Sequence, residues 1–280
     1  MKNKLNDINI NYELMGENND ETVLLIHGFP DSMKVWRKIA PKLVESGFKV
    51  IKIDLPGYGE SDIPNSVEES KVDNICDILK QLLDELNINK THIIGHDWGA
   101  AIGWYFSSIY TNIVKSYIPL SVGHPSGFKN SGFDQLVSSW YVLLILNENL
   151  GEKVFTADDW SLFKTLFTGE ELHENWLPDM SRDGRLTSAF NLYRANLSPK
   201  YGDNLILETS KVEAPVLAFL GENDTALTED QLKLSEDCVK NDFNYNIVKN
   251  KGHWLPLDAY SEIYPEIKKF LYKYSENPHL

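Results

Sequence analysis

A chain of 280 residues with 42% apolar and 11% aromatic content can build one large core with an insertion, or two small domains. Its net charge of −14 argues against nucleic-acid and anionic-membrane partners, which both select for basic patches, and makes an anionic substrate a poor general fit. The opening MKNKLNDINI carries no apolar signal segment, no apolar run reaches membrane-spanning length, and no His/Cys cluster has metal-ligand spacing.

In chain order, residues 4–15 predict two short strands with a tight turn at Asn6-Asp7. Ile8, Ile10, Tyr12 and Leu14 alternate on one face of the second strand. After a polar loop at 16–20, residues 22–26 form a buried strand that ends in His27-Gly28-Phe29-Pro30. Such a turn can leave the Phe29 N–H free at the top of a sheet. Pro30 fixes it, and a cis peptide is one way of doing so. Residues 33–45 predict a helix with Val35, Ile39 and Leu43 on one face, split by Pro41. Residues 48–54 alternate as a strand. The Gly-rich loop at 55–62 follows, without the Gly-Lys-Ser/Thr ending of a phosphate-binding loop. Residues 67–86 predict a long helix. Residues 90–110 read strand, turn, helix, and 114–122 contain a further strand.

The pattern then changes. From 123 to 211 the chain is helix-like and rich in aromatics, including Trp140, Trp160, Trp176 and Tyr193, without clear strands. Strands at 215–220 and 245–248 and helices near 229–239 and 260–273 resume the alternation. The expectation is an α/β fold: a mainly parallel sheet with helices on both faces, built from 1–122 and 212–280, with a helical cap at 123–211 inserted between strands. Ligands in such a sheet sit beyond the carboxyl ends of the strands. Cys76 and Cys238 lie in helix-like segments without a C-x-x-C partner. They read as reduced thiols of a cytoplasmic protein.

The organising stretch is Gly95-His96-Asp97-Trp98-Gly99. A sharp strand-to-helix turn needs small residues two before and two after its centre, and it pushes the central side chain outward. On the motif alone, a plain turn with Asp chosen for turn propensity is an equally good reading. As a nucleophile, Asp97 points away from esterases, because its attack on an acyl carbon would give an anhydride. Attack on an sp³ carbon gives an ester that water can open, which means epoxide opening or dehalogenation. Asp224 follows the strand at 215–220, and His253 follows the strand at 245–248. The order nucleophile, acid, histidine is that of a hydrolase triad on strand-end loops. Glu222 lies on the same turn as Asp224, which is the favoured acid of the two.

Together, HGFPDSMKVWR (27–37), DLPGYGESD (54–62), GHDWGA (95–100), GENDTAL (221–227) and GHW (252–254) resemble the α/β-hydrolase superfamily, and most of all its epoxide hydrolase branch. Pro56 departs from that pattern, where Arg is frequent, at a non-catalytic position. The resemblance extends to Ser139-Trp140-Tyr141 and Asn191-Leu192-Tyr193-Arg194-Ala195, which look like the segments carrying paired lid tyrosines. It implies that Tyr141 and Tyr193 hold the epoxide oxygen, whose alkoxide is a poor leaving group without a proton or strong hydrogen bonds. Packing in the cap core is the alternative for both. It also implies N–H groups of Phe29 and Trp98 as oxyanion donors, and a pocket with His27, Pro30, Trp36 and Trp140, where plain core packing is as good a reading for each tryptophan. No cofactor or metal is expected. The partners are a small apolar epoxide and water, in a monomer or homodimer. Haloalkane dehalogenation through the same Asp97 is the rival, with Trp98 able to donate to a halide. Haloacetate dehalogenation fits less well, because Trp98 and Ala101 stand where arginines would clamp a carboxylate. A non-catalytic small-ligand binder is the reading from another class.

Overall fold

A computed structural model describes residues 1–201 and 211–276. Eight strands form one sheet in the order β1-β2-β4-β3-β5-β6-β7-β8 among the described residues. They are β1 (Lys2–Leu5), β2 (Ile8–Met15), β3 (Glu21–Ile26), β4 (Phe48–Ile53), β5 (Thr91–His96), β6 (Val114–Leu120), β7 (Val216–Gly221) and β8 (Phe243–Val248). The β1–β2 hairpin turns at Asn6 and Asp7, both left-handed, and β2 runs antiparallel to β4. All pairings from β4 to β8 are parallel.

Parallel strands covered on both faces need apolar residues at every position rather than at every second one. That is why Val23-Leu24-Leu25-Ile26 and Ile93-Ile94 are continuous apolar runs, all fully buried. Each such side chain contributes roughly 1.5–3 kcal/mol by leaving water. The covering helices are α1 (Ile39–Glu45), α2 (Val72–Glu85) and α3 (Trp98–Ile109). On α2, Ile75, Ile78, Leu79, Leu82 and Leu83 form the buried stripe.

Two predicted helices are shorter than their periodicity suggested. Residues 33–45 break at Lys38, not at Pro41. A 3₁₀ turn, Met33–Arg37, is capped by the Ser32 hydroxyl, and α1 starts at Ile39. Pro41 then falls in the first turn of α1, where a helix needs no N–H, so it starts this helix instead of dividing a longer one. Similarly, 67–86 divides into a 3₁₀ turn at Glu68–Ser70 and α2.

Between β6 and β7 the described residues form helices, apart from one isolated β-bridge of Val212 to Val239. The α-helices are α4 (Pro125–Asn130), α5 (Gly132–Ser138), α6 (Trp140–Leu146), α7 (Leu150–Leu166, broken at 157–160), α8 (Leu177–Met180) and α9 (Arg185–Leu197), with a π-helix at Leu172–Trp176 and a 3₁₀ turn at Pro199–Tyr201. The last part of the segment predicted as helical, 202–210, lies outside the described residues. Buried aromatics carry the core from these helices down to the sheet. Phe155 packs on Phe190 and Phe190 on Phe29, with ring centroids 5.0 and 5.9 Å apart. The chain ends through α10 (Glu229–Lys233), α11 (Leu255–Asp258) and α12 (Tyr260–Lys273). No described helix is long and apolar enough to cross a membrane.

Candidate active site

Asp97 sits between β5 and α3 with φ 53° and ψ −123°, a conformation that L residues avoid unless the surroundings impose it. The surroundings do so. A Cβ at Gly95 would land on the Gly99 backbone, and one at Gly99 would land on the Ile26 carbonyl. The strand, the turn and the neighbouring strand therefore approach more closely than any side chain allows. The first turn of α3 is closed by Ala100 and Ala101 N–H donating to the Asp97 carbonyl at 2.9 and 3.1 Å.

The carboxylate so presented is 8% exposed. Phe29 N–H donates to its Oδ1 at 2.7 Å, and the backbone N–H of Trp98 helps hold the carboxyl below its usual pKa. A Cβ at Gly28 would collide with that same oxygen, so the Gly28 turn can serve as a donor only because it is bare. Phe29 and Pro30 are joined by a cis peptide.

His253 and Asp224 come from the loops after β8 and β7. Those loops touch: a Cβ at Gly221 would meet the Gly252 carbonyl. His253 Nδ1 lies 2.8 Å from Asp224 Oδ2, and its Nε2 lies 3.5 Å from Asp97 Oδ2. Ala226 and Leu227 N–H donate to Asp224 Oδ1 at 2.9 and 3.0 Å and fix that carboxylate. Glu222 instead accepts from Asn250 N–H at 2.9 Å on the exposed side of the loop. The His253 carbonyl lies 3.0 Å from His96 Nε2 and accepts from Ser121 Oγ at 2.8 Å, which anchors the backbone beneath the ring.

Burial works against both charged forms, but the two groups compensate each other. Desolvation lowers the affinity of His253 for its proton, and the facing Asp224 and Asp97 more than reverse this, raising its pKa to about 10. Asp97 is pushed up by burial and pulled further down by His253, so its carboxyl stays below its usual value. Each group thus favours the charged form of the other, a protonated His253 and an ionised Asp97.

Tyr141 on α6 and Tyr193 on α9 face this carboxylate from the helices above. The Tyr193 ring packs edge-on against Trp98 at 4.9 Å and Phe29 at 5.6 Å. Burial raises both phenol pKa values, so both remain O–H donors. The residue after Tyr193 joins the two helices. Arg194, 2% exposed, donates from Nη1 and Nη2 to Glu152 of α7 at 2.7 and 2.8 Å, and from Nε to the Ile145 carbonyl of α6 at 2.9 Å.

Two cavities of about 120 Å³ each meet at this point, and Asp97, Tyr141, Tyr193 and Ala226 line both. Of the four residues expected in the pocket, only Trp140 lines a cavity wall. His27, Pro30 and Trp36 line neither cavity, which corrects that expectation. The His27 ring is consumed by its own turn, with Nδ1 2.8 Å from the Gly28 carbonyl and Nε2 accepting from Leu55 N–H at 3.0 Å. Trp36 is fully buried in the core beneath the 3₁₀ turn, and Pro30 is buried in the turn that aims Phe29.

Sequence reasoning missed Asp31. Burial raises its carboxyl pKa to about 7, while the indole N–H groups of Trp176 and Trp254 donate to it at 2.7 and 3.1 Å. It thereby joins the inserted helices to the His253 loop. The available signal was an acid directly after the His-Gly-Phe-Pro turn. Among the described residues no group of His, Cys, Asp or Glu is placed to hold a metal.

Residues 21–260 match the model of the alpha/beta hydrolase fold family. Epoxide hydrolase 4 of Homo sapiens is 30% identical over 268 residues, covering 90% of this chain and 72% of that protein. Epoxide hydrolase 3 of Xenopus tropicalis is 29% identical over 280 residues, covering 94% and 75%. The solved structure of epoxide hydrolase VrEH1 from Vigna radiata superposes with a TM-score of 0.83 at 22% identity, covering 98% of this chain and 97% of that one.

Proposed function

The chain belongs to the α/β-hydrolase family, in its epoxide hydrolase branch, and from that premise we propose that it opens epoxides to vicinal diols through an ester on Asp97. One observation carries the residue assignment: a carboxylate held by backbone N–H groups faces two phenols across the neck shared by two cavities, with His253 3.5 Å away.

Asp97 Oδ1 is occupied by its donors, so Oδ2 is the attacking oxygen. Tyr141 and Tyr193 donate to the epoxide oxygen on the far side of the ring, and the C–O bond opposite Oδ2 breaks as the ester bond forms. Esterification removes one of the two negative charges that hold the proton on His253, and that proton passes to the ring-opened alkoxide at the phenols. The imidazole, oriented by Asp224, then becomes a base and deprotonates water. The hydroxide attacks the ester carbonyl. Oδ1 becomes the oxyanion at the Phe29 and Trp98 N–H groups, and the diol leaves. The proton from His253 neutralises the first alkoxide, the proton taken from water recharges His253, and the hydroxide's own proton leaves on the second diol oxygen as Asp97 returns to a carboxylate, so one water is added per epoxide. Neither cofactor nor metal has a step to perform in this sequence.

The same reading assigns 123–211 as a cap on a core of 1–122 and 212–280, because α6 and α9 supply the phenols to a site otherwise built by strand-end loops. We further propose a cytoplasmic monomer or homodimer, and the net charge of −14 supports a protein without nucleic-acid or anionic-membrane partners.

The test is turnover of styrene oxide and 1-bromobutane by the wild type and His253→Gln. The expected result is diol from the epoxide by wild type, and an intact mass raised by one epoxide in the variant. Bromide release without diol would move the activity to dehalogenation and leave the two tyrosines as packing residues.

A further inference from the structure

Gln135 of α5 is 2% exposed, lines neither cavity, and uses its whole amide to join two parts of the site. Its Nε2 donates to Ser139 Oγ at 2.7 Å and to the Ala226 carbonyl at 2.8 Å. Its Oε1 accepts from Thr228 N–H at 2.9 Å and from Thr228 Oγ1 at 3.0 Å. Two N–H groups and two lone pairs are all that a side-chain amide offers, so none is left over. The orientation of the amide follows from its partners, because a backbone carbonyl only accepts and a backbone N–H only donates.

One end of this arrangement is the acid beside His253. The Ala226 carbonyl and the Leu227 N–H belong to one planar peptide unit, so they turn together. The carbonyl accepts from Gln135, the N–H donates to Asp224 Oδ1 at 3.0 Å, and Asp224 Oδ2 lies 2.8 Å from His253 Nδ1. Gln135 thus sets the plane from which Asp224 is held. The other end is the start of α6. Ser139 N–H donates to the Gln135 carbonyl at 2.9 Å and Val142 N–H to the Ser139 carbonyl at 3.0 Å, with Tyr141 between them in the first turn. Both runs of bonds that leave Gln135 therefore end at groups assigned to the chemistry. Resting on the epoxide-opening reading above, we propose that Gln135 is a positioning residue that sets the Tyr141 phenol and the Asp224 carboxylate relative to each other, and so acts on both halves of the reaction.

The experiment is a single turnover of styrene oxide by excess enzyme, with the ester followed by intact mass and the diol by chromatography. Gln135→Met keeps the length of the side chain and removes all four bonds. Ester formation and ester hydrolysis should each slow by about tenfold, the scale of one or two lost hydrogen bonds. Ser139→Ala breaks only the α6 end and leaves the contacts to Ala226 and Thr228 in place. It should slow ester formation by about fivefold and leave hydrolysis within about twofold of wild type. In a Tyr141→Phe background the Ser139→Ala effect should vanish, which a residue that only holds the fold would not show. Unchanged rate constants in Gln135→Met, with only the amplitude reduced, would overturn the proposal and leave Gln135 as a fold contact. So would a Ser139→Ala effect that persists in full without the Tyr141 hydroxyl, or that falls equally on hydrolysis, and this second variant decides the matter where Gln135→Met does not fold. No diol from the wild type would overturn epoxide opening itself, and the proposal with it.

Discussion

The strand-end loops and the inserted helices hold their parts of the site by different means. In the loops, the backbone does the positioning. Asp97 is aimed by a turn that tolerates no Cβ at Gly95 or Gly99, and the Asp224 and His253 loops are brought together at Gly221 and Gly252. In the helices, side chains do it. Arg194 ties α9 to Glu152 of α7 and to the Ile145 carbonyl of α6, while Asp31 and Trp176 tie the insertion to the sheet. A site positioned by backbone tolerates no drift in its motif residues. A site positioned by side chains can reach the same precision with other partners.

Substitutions can break this contrast, and the largest effect is expected in the loops. Asp97→Ala removes the atom that forms the ester, and kcat should fall by about 10⁴-fold or more with folding retained. Steady-state assay and circular dichroism together check both parts. In the helices, each phenol is proposed as one of two donors. Tyr193→Phe and Tyr141→Phe should each cost about 10²-fold in kcat for epoxide opening, and the double variant more than either. Residual activity at wild-type level in the double variant would reduce both to packing.

Arg194→Met tests the side-chain fastening directly. It leaves Glu152 unpaired at a half-buried position, and a loss of about 2–3 kcal/mol is expected in urea unfolding, below the full cost of breaking a buried pair because Glu152 keeps some water contact. Activity should fall with it, because both phenols lose their common brace. A variant that keeps stability but loses activity would place Arg194 in the chemistry instead.

A further effect is one of pH, and it belongs to the loops. His253 has a folded pKa of about 10 against roughly 6.5 unfolded. The stability it contributes is fully present below about pH 6.5 and is lost as pH rises toward 10. Thermal melts of the wild type should therefore decline across that window. Asp97→Ala, which lacks one of the two facing carboxylates, should decline less.

The same contrast explains what was legible in the sequence. Gly95, Gly99, Gly28 and Gly221 can be seen as letters, and the strands they terminate are visible as apolar runs. The elbow, the triad order and the sheet could therefore be read directly. The favoured choice of Asp224 over Glu222 could be made, but only the loop geometry explains it, because Glu222 turns outward to Asn250. The helical insertion carried no such punctuation. Tyr141 and Tyr193 were suggested by resemblance, while Asp31, Ala226 and Phe167 were not singled out, since nothing local marks a residue whose role depends on what packs across from it. His27 and Trp36 were misplaced for the same reason. Their neighbours in sequence are at the site, but their side chains point into the turn and the core.

The Arg194 brace also bears on how such a site diverges. Tyr141 and Tyr193 are fixed by atoms that line neither cavity, whereas Val142 and Phe167 form cavity wall without holding the phenols in place. Descendants of this chain can therefore exchange one epoxide for another by altering the walls, one cavity at a time, and keep the reaction throughout. Loss of the brace would end both together, so it marks the boundary between changing the menu and losing the enzyme.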